Sequence, residues 1–580
     1  MPGWSLSHCS LTGGGRTFQR PLDVTEVGFL WDSAFNGTAD SLQHIQLRLL
    51  NQNDTSILSQ ANIVRTWQSV KRRYPLLGAR VETGIGEPRF VVQEHRLMNL
   101  NPGELVFDKV SSPDEVLKLV TDILDGPRPL SNDLLAQVYI FHRTDRADVI
   151  HLFSLIAHCV TDGGGNSSFV RCFLDTLSSR SEAPIPPLEE RLSMVISSEE
   201  LEPKQALSPA RRRWRQAIGF VIFQVRMARR QGGHTLPCRM TPSTFRVPAR
   251  SRILVTSFSP EQTTAIMANC RRNKVTFGNA YLPLAQVAMT RVLYRRYLRG
   301  EISEEEWGYR KRQPHISGGP LNLRPYLDKQ WLNKGGGGEF MLAISFFFYQ
   351  LPFMTLGVTA KQRRGDLVLS NGAPPFANLL TFNRFLHRAN MVKDQGANFL
   401  KHPLFLEIAG AAHVARLEGT RIGALEWMKS VEEGTAVDEG EALAATEIPG
   451  AVWAHGGSSI GNMDEVSPTE YPLRSTNPIS PRSNIPHPAK AGYITLKKPD
   501  TSEDEPKIVI EYSRVHLHTR PAELYLGAAT ARKQLHLSVF YDGNVYEEAI
   551  VREWLDEVRD AVLWYLGQSH LEGGTGQPKL

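Results

Sequence analysis

The run Val149–Ala157 is apolar except for His151 and Ser154, which predicts a buried strand. Ile57, Leu58, Ala61, Val64, Trp67 and Val70 fall at helical spacing. They predict an amphipathic helix over 56–73, its basic C-terminal end matched to the helix dipole and stopped by Pro75. Strands are expected at 76–81 and 89–93, and a helix over 113–124. After the glycines at 163–165, Asn166 or Ser167 caps a helix to about Ser178, with Phe169, Phe173, Leu174 and Leu177 as its buried stripe. The second half reads as helices over 260–273, 279–299 and 376–392, with a strand over 314–323. Near the end, Leu535, Leu537 and Val539 alternate and Asp542-Gly543 turns the chain. A helix carrying Val551, Trp554, Leu555, Val558 and Val562 closes it. The uncharged stretch 341–360 reads as a buried strand and loop rather than a membrane span, because Gln350 and Pro352 interrupt it. Residues 432–447 read as an acidic loop, and 467–506, rich in Pro, Ser and charge, as a mostly mobile insertion.

This mixture of strands and helices predicts an α/β protein. At 580 residues the chain exceeds what one core fills. The expected division is an N-terminal lobe over 1–200, a basic helical connection over 201–248, and a C-terminal lobe over 249–580. The connection carries Arg211, Arg212, Arg213, Arg215, Arg226, Arg229 and Arg230 among Trp214, Ile218, Phe220, Val221, Phe223 and Val225. A nucleic-acid patch is one reading. A helix with one apolar and one solvated face explains the pattern with less. A net charge of +6 argues against a dedicated nucleic-acid binder. The five cysteines are scattered and never spaced as Cys-x-x-Cys, which disfavours a zinc ribbon or disulfide framework and suits free thiols in a reducing compartment. The first residues lack the pattern of a signal peptide, so a cytoplasmic protein with no membrane span is expected.

The strongest chemical feature is His158-Cys-Val-Thr-Asp162-Gly163-Gly-Gly, delivered to the end of the predicted strand. Histidine can take a proton near neutral pH, and an aspartate can fix its surroundings. Three other readings compete. His158 and Asp162 could bind a metal, but the glycines oppose a helix that would align them, and no further ligand cluster is evident. Strand, glycines and helix are the order of a phosphate-cradling turn, yet neither Gly-x-Gly-x-x-Gly nor a Walker lysine is present. The histidine could also be a plain core residue. A separate candidate is Gly457-Ser458-Ser459-Ile460-Gly461, which fits the Gly-x-Ser-x-Gly pattern of serine hydrolases. It would need a strand before it, a helix after it, and a histidine such as His516, His518 or His536.

His158 to Gly163 resembles the His-x-x-x-Asp-Gly motif of the CoA-dependent acyltransferase superfamily, which includes chloramphenicol acetyltransferase, plant BAHD acyltransferases and peptide-synthetase condensation domains. Trp67–Arg80, Ser317–Pro325 with its arginine, and Leu535–Trp554 resemble further segments of that superfamily in order and spacing. Fungal alcohol O-acetyltransferases of secondary metabolism, such as trichothecene acetyltransferases, are the most similar in flavour. The Asp-Phe-Gly-Trp-Gly motif of plant members is absent, and no carrier or adenylation segment accompanies the motif.

The resemblance implies two similar chloramphenicol-acetyltransferase-like lobes meeting at a tunnel. It implies His158 as general base and Asp162 turned away from substrate to pair with an arginine, for which Arg324 is the choice. Gly163 would allow close packing beside the histidine, and Ser458 or Ser459 would supply an oxyanion or pocket hydroxyl. The expected reaction is acyl transfer, most simply from acetyl-CoA, to the hydroxyl of a hydrophobic small molecule, by a monomer without a metal. The alternatives are a non-catalytic or condensation-type member of the same fold, and a serine hydrolase using Ser459.

Overall fold

All eight residues of the strand Val149–Ile156 are buried, because it is sandwiched between neighbouring strands and covered on both faces. In the computed structural model it is β8 of sixteen strands among the described residues, which are 3–9, 15–84, 87–179, 184–203, 207–361, 372–435, 440–448, 450–483, 485, 487, 490 and 505–567. Along the first part of the chain run β1 (Ser5–Cys9), β2 (Arg16–Pro21), β3 (Ser41–Leu49), β4 (Arg80–Glu82), β5 (Arg89–Gln93), β6 (Leu105–Val110) and β7 (Ala136–Arg143). After β8 come β9 (Ser251–Ser257), β10 (His315–Asn322), β11 (Ile344–Leu351) and β12 (His455–Asn462). The last are β13 (Glu470–Tyr471), β14 (Ile508–Leu517), β15 (Leu524–Ala531) and β16 (Gln534–Asp542).

Two six-stranded mixed sheets form the two lobes, in the orders β13-β14-β3-β8-β7-β6 and β11-β10-β12-β15-β16-β9. A smaller sheet, β1-β2-β5-β4, flanks the first. Each six-stranded sheet has its own apolar core. Helices Gln60–Arg73 and Gly163–Ser178 pack together in the first lobe, where Trp67 is fully buried and its indole N–H donates to Glu104 at 3.0 Å. In the second lobe, helix Phe277–Leu298 is buried almost throughout, and helix Glu548–Val562 packs on it through Trp554.

The lobes are not consecutive in sequence. β14 pairs antiparallel with β3, so the last part of the chain completes the first lobe's sheet. Residues 323–344 and 399–412 also contribute to the first lobe's core. The expected boundary at 249 therefore marks where the second sheet begins, not where the first lobe ends.

Several local expectations need correction. Residues 75–78 form a short 3-10 turn, because Pro75 sets its first φ, and the strand starts only at Arg80. The helix expected after a cap at Asn166 or Ser167 starts instead at Gly163, capped by Asp162. Residues 467–483, read as part of a mobile insertion, are docked. Tyr471 is buried, and Arg482 donates to Asp175 at 2.9 Å inside the first lobe. Residues 491–504 of that insertion lie outside the described ones. The 29-residue helix Phe405–Glu433 has no counterpart in the sequence reading, since its apolar residues wrap around it rather than forming a stripe. Residues 341–360 give the edge strand β11 and a loop, and among the described residues no helix is long and apolar enough to cross a membrane.

Both sheets bury histidines. On one face of the first, His44 Nε2 and His151 Nδ1 share a hydrogen bond at 2.9 Å, and both ring nitrogens of His516 are buried without a partner. Burial pushes these imidazoles down, His44 to about 2 and His151 and His516 to about 4, with neighbouring Arg514 adding to the effect at His44 and His516. A group whose folded-state value is depressed in this way leaves the folded protein neutral where the unfolded chain binds a proton. Its stabilisation is complete above the ordinary histidine value near 6.5 and is lost as pH falls below it. The carboxyls of Asp23 and Glu202, raised by burial to about 8 and about 7, act in the opposite sense. The diagnostic measurement is therefore differential. His516→Leu should flatten the decline of the thermal midpoint between pH 6.5 and 4, and an unchanged slope would contradict the assignment.

Candidate functional site

Three successive local events build the site. β8 ends at Ile156, a 3-10 turn carries His158–Val160, and Asp162 then opens a helix. Glycine is a poor helix former, costing about 1 kcal/mol per residue relative to alanine. Here the cap offsets that cost, since Asp162 Oδ1 accepts the Gly165 N–H at 3.0 Å. Two of the glycines are also needed for close approach. A Cβ on Gly165 would lie 2.5 Å from Thr161 Oγ1, and one on Gly164 would lie 3.0 Å from Arg324 Nη1. Gly163, the position expected to allow close packing, has nothing within 4 Å of the equivalent point. The packing constraint falls on its two successors.

Asp162 is buried and fully engaged by protein groups. Its two oxygens accept from Arg324 Nη1 at 2.9 and 2.8 Å, and Oδ2 also accepts the Ala343 N–H at 2.8 Å. Arg324 Nη2 donates to the Met341 carbonyl at 2.8 Å. Both side chains are buried. Burial alone would push the Asp162 carboxyl up, but Arg324 and the two main-chain donors outweigh it and hold the carboxyl below its ordinary value. Arg324 follows β10 and Ala343 precedes β11, so this cluster ties the turn bearing the histidine to the second sheet.

His158 is partly exposed. Its Nδ1 is buried and without a hydrogen-bond partner. One face of the ring stacks on Phe29, with centroids 4.1 Å apart and planes 12° from parallel. Burial lowers the imidazole's proton affinity; Arg520 adds to this, while the residue's own carbonyl, Asp162 and Asp32 oppose it. The net direction is down, toward the uncharged ring. Beyond Phe29, the guanidinium of Arg416 stands 4.9 Å from that ring's centroid. Arg416 and Arg520 both donate to Asp32 Oδ2, Arg520 at 2.9 Å. Phe29 and Asp32 lie on helix Val24–Ala34, Arg416 on helix Phe405–Glu433, and Arg520 precedes β15. Phe29, Asp32 and Arg520 act on the histidine and Arg416 backs Phe29 and Asp32; they come from sequence-distant segments, and no local spacing marks them.

The two serines part company. Both lie within β12, on opposite faces. Ser458 lies beside Tyr525, whose surroundings include Arg520. Ser459 stands against Gly278, 3.4 Å from where its Cβ would be. The hydrolase reading fails on this geometry. The Gly-x-Ser-x-Gly residues run along a strand instead of ending one, and a 3-10 turn at Met463–Glu465 follows where a helix is required. His536 bonds to Ser257 and His518 to the Asp40 carbonyl, while His516 makes no hydrogen bond through its ring. None of the three serves Ser459. Cys159 is buried and burial pushes its thiol up, the opposite of a nucleophile's requirement. Among the described residues no group of three or more His, Cys, Asp or Glu could hold a metal ion.

The fold is shared with solved acetyltransferase and condensation-domain structures. No protein-family model matches the chain, and no curated protein matches it in sequence. Solved structures do match in fold. The TRI3 trichothecene 15-O-acetyltransferase from Fusarium sporotrichioides is similar with a TM-score of 0.63 at 11% identity, over 97% of each chain. The condensation domain of the monacolin K polyketide synthase MokA has a TM-score of 0.55 at 9% identity, over 94% of this chain and 97% of that one. The EpoB cyclization-docking bidomain from Sorangium cellulosum has a TM-score of 0.53 at 12% identity, over 95% and 84%.

The buried ion pair supplies a direct test. Arg324→Ala leaves a buried, uncompensated carboxylate and should cost about 3–5 kcal/mol in denaturant unfolding. Asp162→Asn combined with Arg324→Met should recover part of that loss. If the single and double variants unfold alike to wild type, the pair does not hold the turn.

Proposed function

We propose that this protein is an acyl-CoA-dependent O-acyltransferase that moves an acyl group, most simply acetyl from acetyl-CoA, to a hydroxyl of a hydrophobic small molecule. The observation that carries the reading is one partly exposed imidazole whose Nδ1 is buried, and whose turn is fixed by a buried carboxylate–arginine pair. Such a ring can receive a proton only through Nε2. His158 takes the acceptor's hydroxyl proton there as the oxygen attacks the thioester carbonyl carbon. The tetrahedral intermediate then expels CoA thiolate, which recovers the proton from the imidazolium. General-base catalysis of this kind supplies roughly 10²–10⁴-fold. The rest must come from positioning and from donors near the developing oxyanion.

Asp162 and Arg324 are positioning residues in this scheme. Ser458, beside Tyr525 and Arg520, is the better placed of the two serines to contribute a polar wall. Donor and acceptor would approach His158 from opposite sides of the inter-lobe junction, which is consistent with residues from three sequence-distant segments converging there. The trichothecene and monacolin associations of the structural neighbours favour a role in secondary metabolism; a cytoplasmic single chain completes the proposal.

Incubation with acetyl-CoA and a panel of apolar alcohols should release free thiol, and His158→Ala should reduce the rate at least about a hundredfold. Because the folded-state proton affinity of His158 is depressed, kcat/KM should rise with pH, with a midpoint below 6.5, and be flat at neutrality. Ser459→Ala should leave turnover intact. Thiol release that survives His158→Ala, or a donor requirement met only by a carrier-bound thioester, would overturn the proposal.

A further inference from the structure

Helix Pro209–Ala228 connects the lobes and packs on helix Phe405–Glu433 through one narrow side. Only Gly219 and Phe223 of its residues are buried, and Gly219 approaches so closely that a Cβ would lie 2.7 Å from Glu407 Cβ. The opposite side is apolar and faces out. Trp214 is 68% exposed, Ile218 42%, Val221 58% and Val225 45%. At 3.6 residues per turn these four positions form a single stripe along the helix. On the same wheel Arg211 and Arg229 border the stripe on one side, and Arg213 lies about 80° beyond it on the other, past Ala217 and Gln224. From 209 to 230 there are seven arginines and no acidic residue. Arg215 is used on Glu407 and the Pro403 carbonyl, Arg226 lies over Phe399, and Arg230 donates to the Phe348 carbonyl. Arg212 stands near Glu202. Arg211, Arg213 and Arg229 are exposed and form no ion pair among the described residues.

We propose that this face docks on an anionic lipid surface. A tryptophan and three branched aliphatic side chains in one line, edged by unpaired guanidinium groups, suit the boundary between acyl chains and phosphate headgroups. Trp214 would sit at headgroup depth, where its apolar ring and polar N–H are both satisfied. Arg211, Arg213 and Arg229 would reach phosphates beside it. Charge complementarity selects this occupant over a second copy, because a two-fold contact through this stripe would bring the same arginines against each other. The helix would lie on the surface without spanning it. Lipid docking through this helix would be independent of acyl transfer.

Flotation of the full chain with phosphatidylcholine vesicles containing about a third phosphatidylserine should carry the protein into the lipid layer at low salt. Pure phosphatidylcholine should carry about tenfold less, and about 0.5 M salt should weaken the anionic binding. Two variants separate the contributions. Trp214→Glu with Val221→Glu should abolish flotation outright. Arg211→Gln, Arg213→Gln and Arg229→Gln together should reduce binding to the level of neutral vesicles. All of these side chains are on the surface, so an unchanged thermal midpoint checks that the variants fold. Flotation that is equal for wild type and both variants overturns the proposal. So does an absence of binding to either vesicle. A concentration-dependent dimer in sedimentation without lipid, removed by Trp214→Glu with Val221→Glu, overturns it in favour of self-association.

Discussion

A single buried carboxylate holds the centre of this molecule. Asp162 caps a helix, neutralises Arg324 and accepts the N–H of Ala343, three tasks that draw on three separate parts of the chain. In a low-dielectric interior each partner would be costly alone, and together they are mutually satisfied. The consequence is geometric. The end of β8 and the start of the helix after it are pinned to the segment joining β10 and β11, so the turn between them has little freedom. His158 rides on that turn, four residues upstream, and its orientation is inherited.

The environment of the imidazole follows the same logic from the other side. Phe29 covers one face of the ring and excludes water from it, which disfavours the charged form. Arg416 and Arg520 stand beyond, but Asp32 engages both. The positive field that would otherwise depress the histidine further is thereby tempered. The lowered proton affinity of the imidazole is a property of the whole shell, assembled from sequence-distant parts of the chain.

Local chemistry was legible where the residues that matter are neighbours in sequence. The apolar run of β8, the histidine at its end, and the closing strand, turn and helix could all be read directly. Arg324 became a partner for Asp162 through resemblance to a known motif, because nothing in its own surroundings, Leu323 and Pro325, announces an ion pair. Composition misled where tertiary anchors override it. Residues 467–483 are rich in Pro and Ser, yet Tyr471 and the Arg482–Asp175 pair fasten them to the first lobe. The glycines after Asp162 argued against a helix, and the cap and the ion pair reversed that preference. Phe29, Asp32, Arg416 and Arg520 were out of reach, since only the fold brings them together. Periodicity also predicted that helix Pro209–Ala228 has an apolar face. It could not say that this face is turned outward while a glycine and a phenylalanine make the packed side.

The pairing of β14 with β3 imposes an order of events during synthesis. β3 is made within the first fifty residues, but the strand that covers its free edge ends at Leu517. Until the ribosome has passed that point, an early strand exposes unpaired main-chain groups, the kind of edge that invites misassociation. Loop closure over so long a separation is slow relative to local contacts. The emerging polypeptide must therefore be shielded for most of its translation, and a shortened product lacking its last seventy residues would leave the histidine's own sheet unfinished.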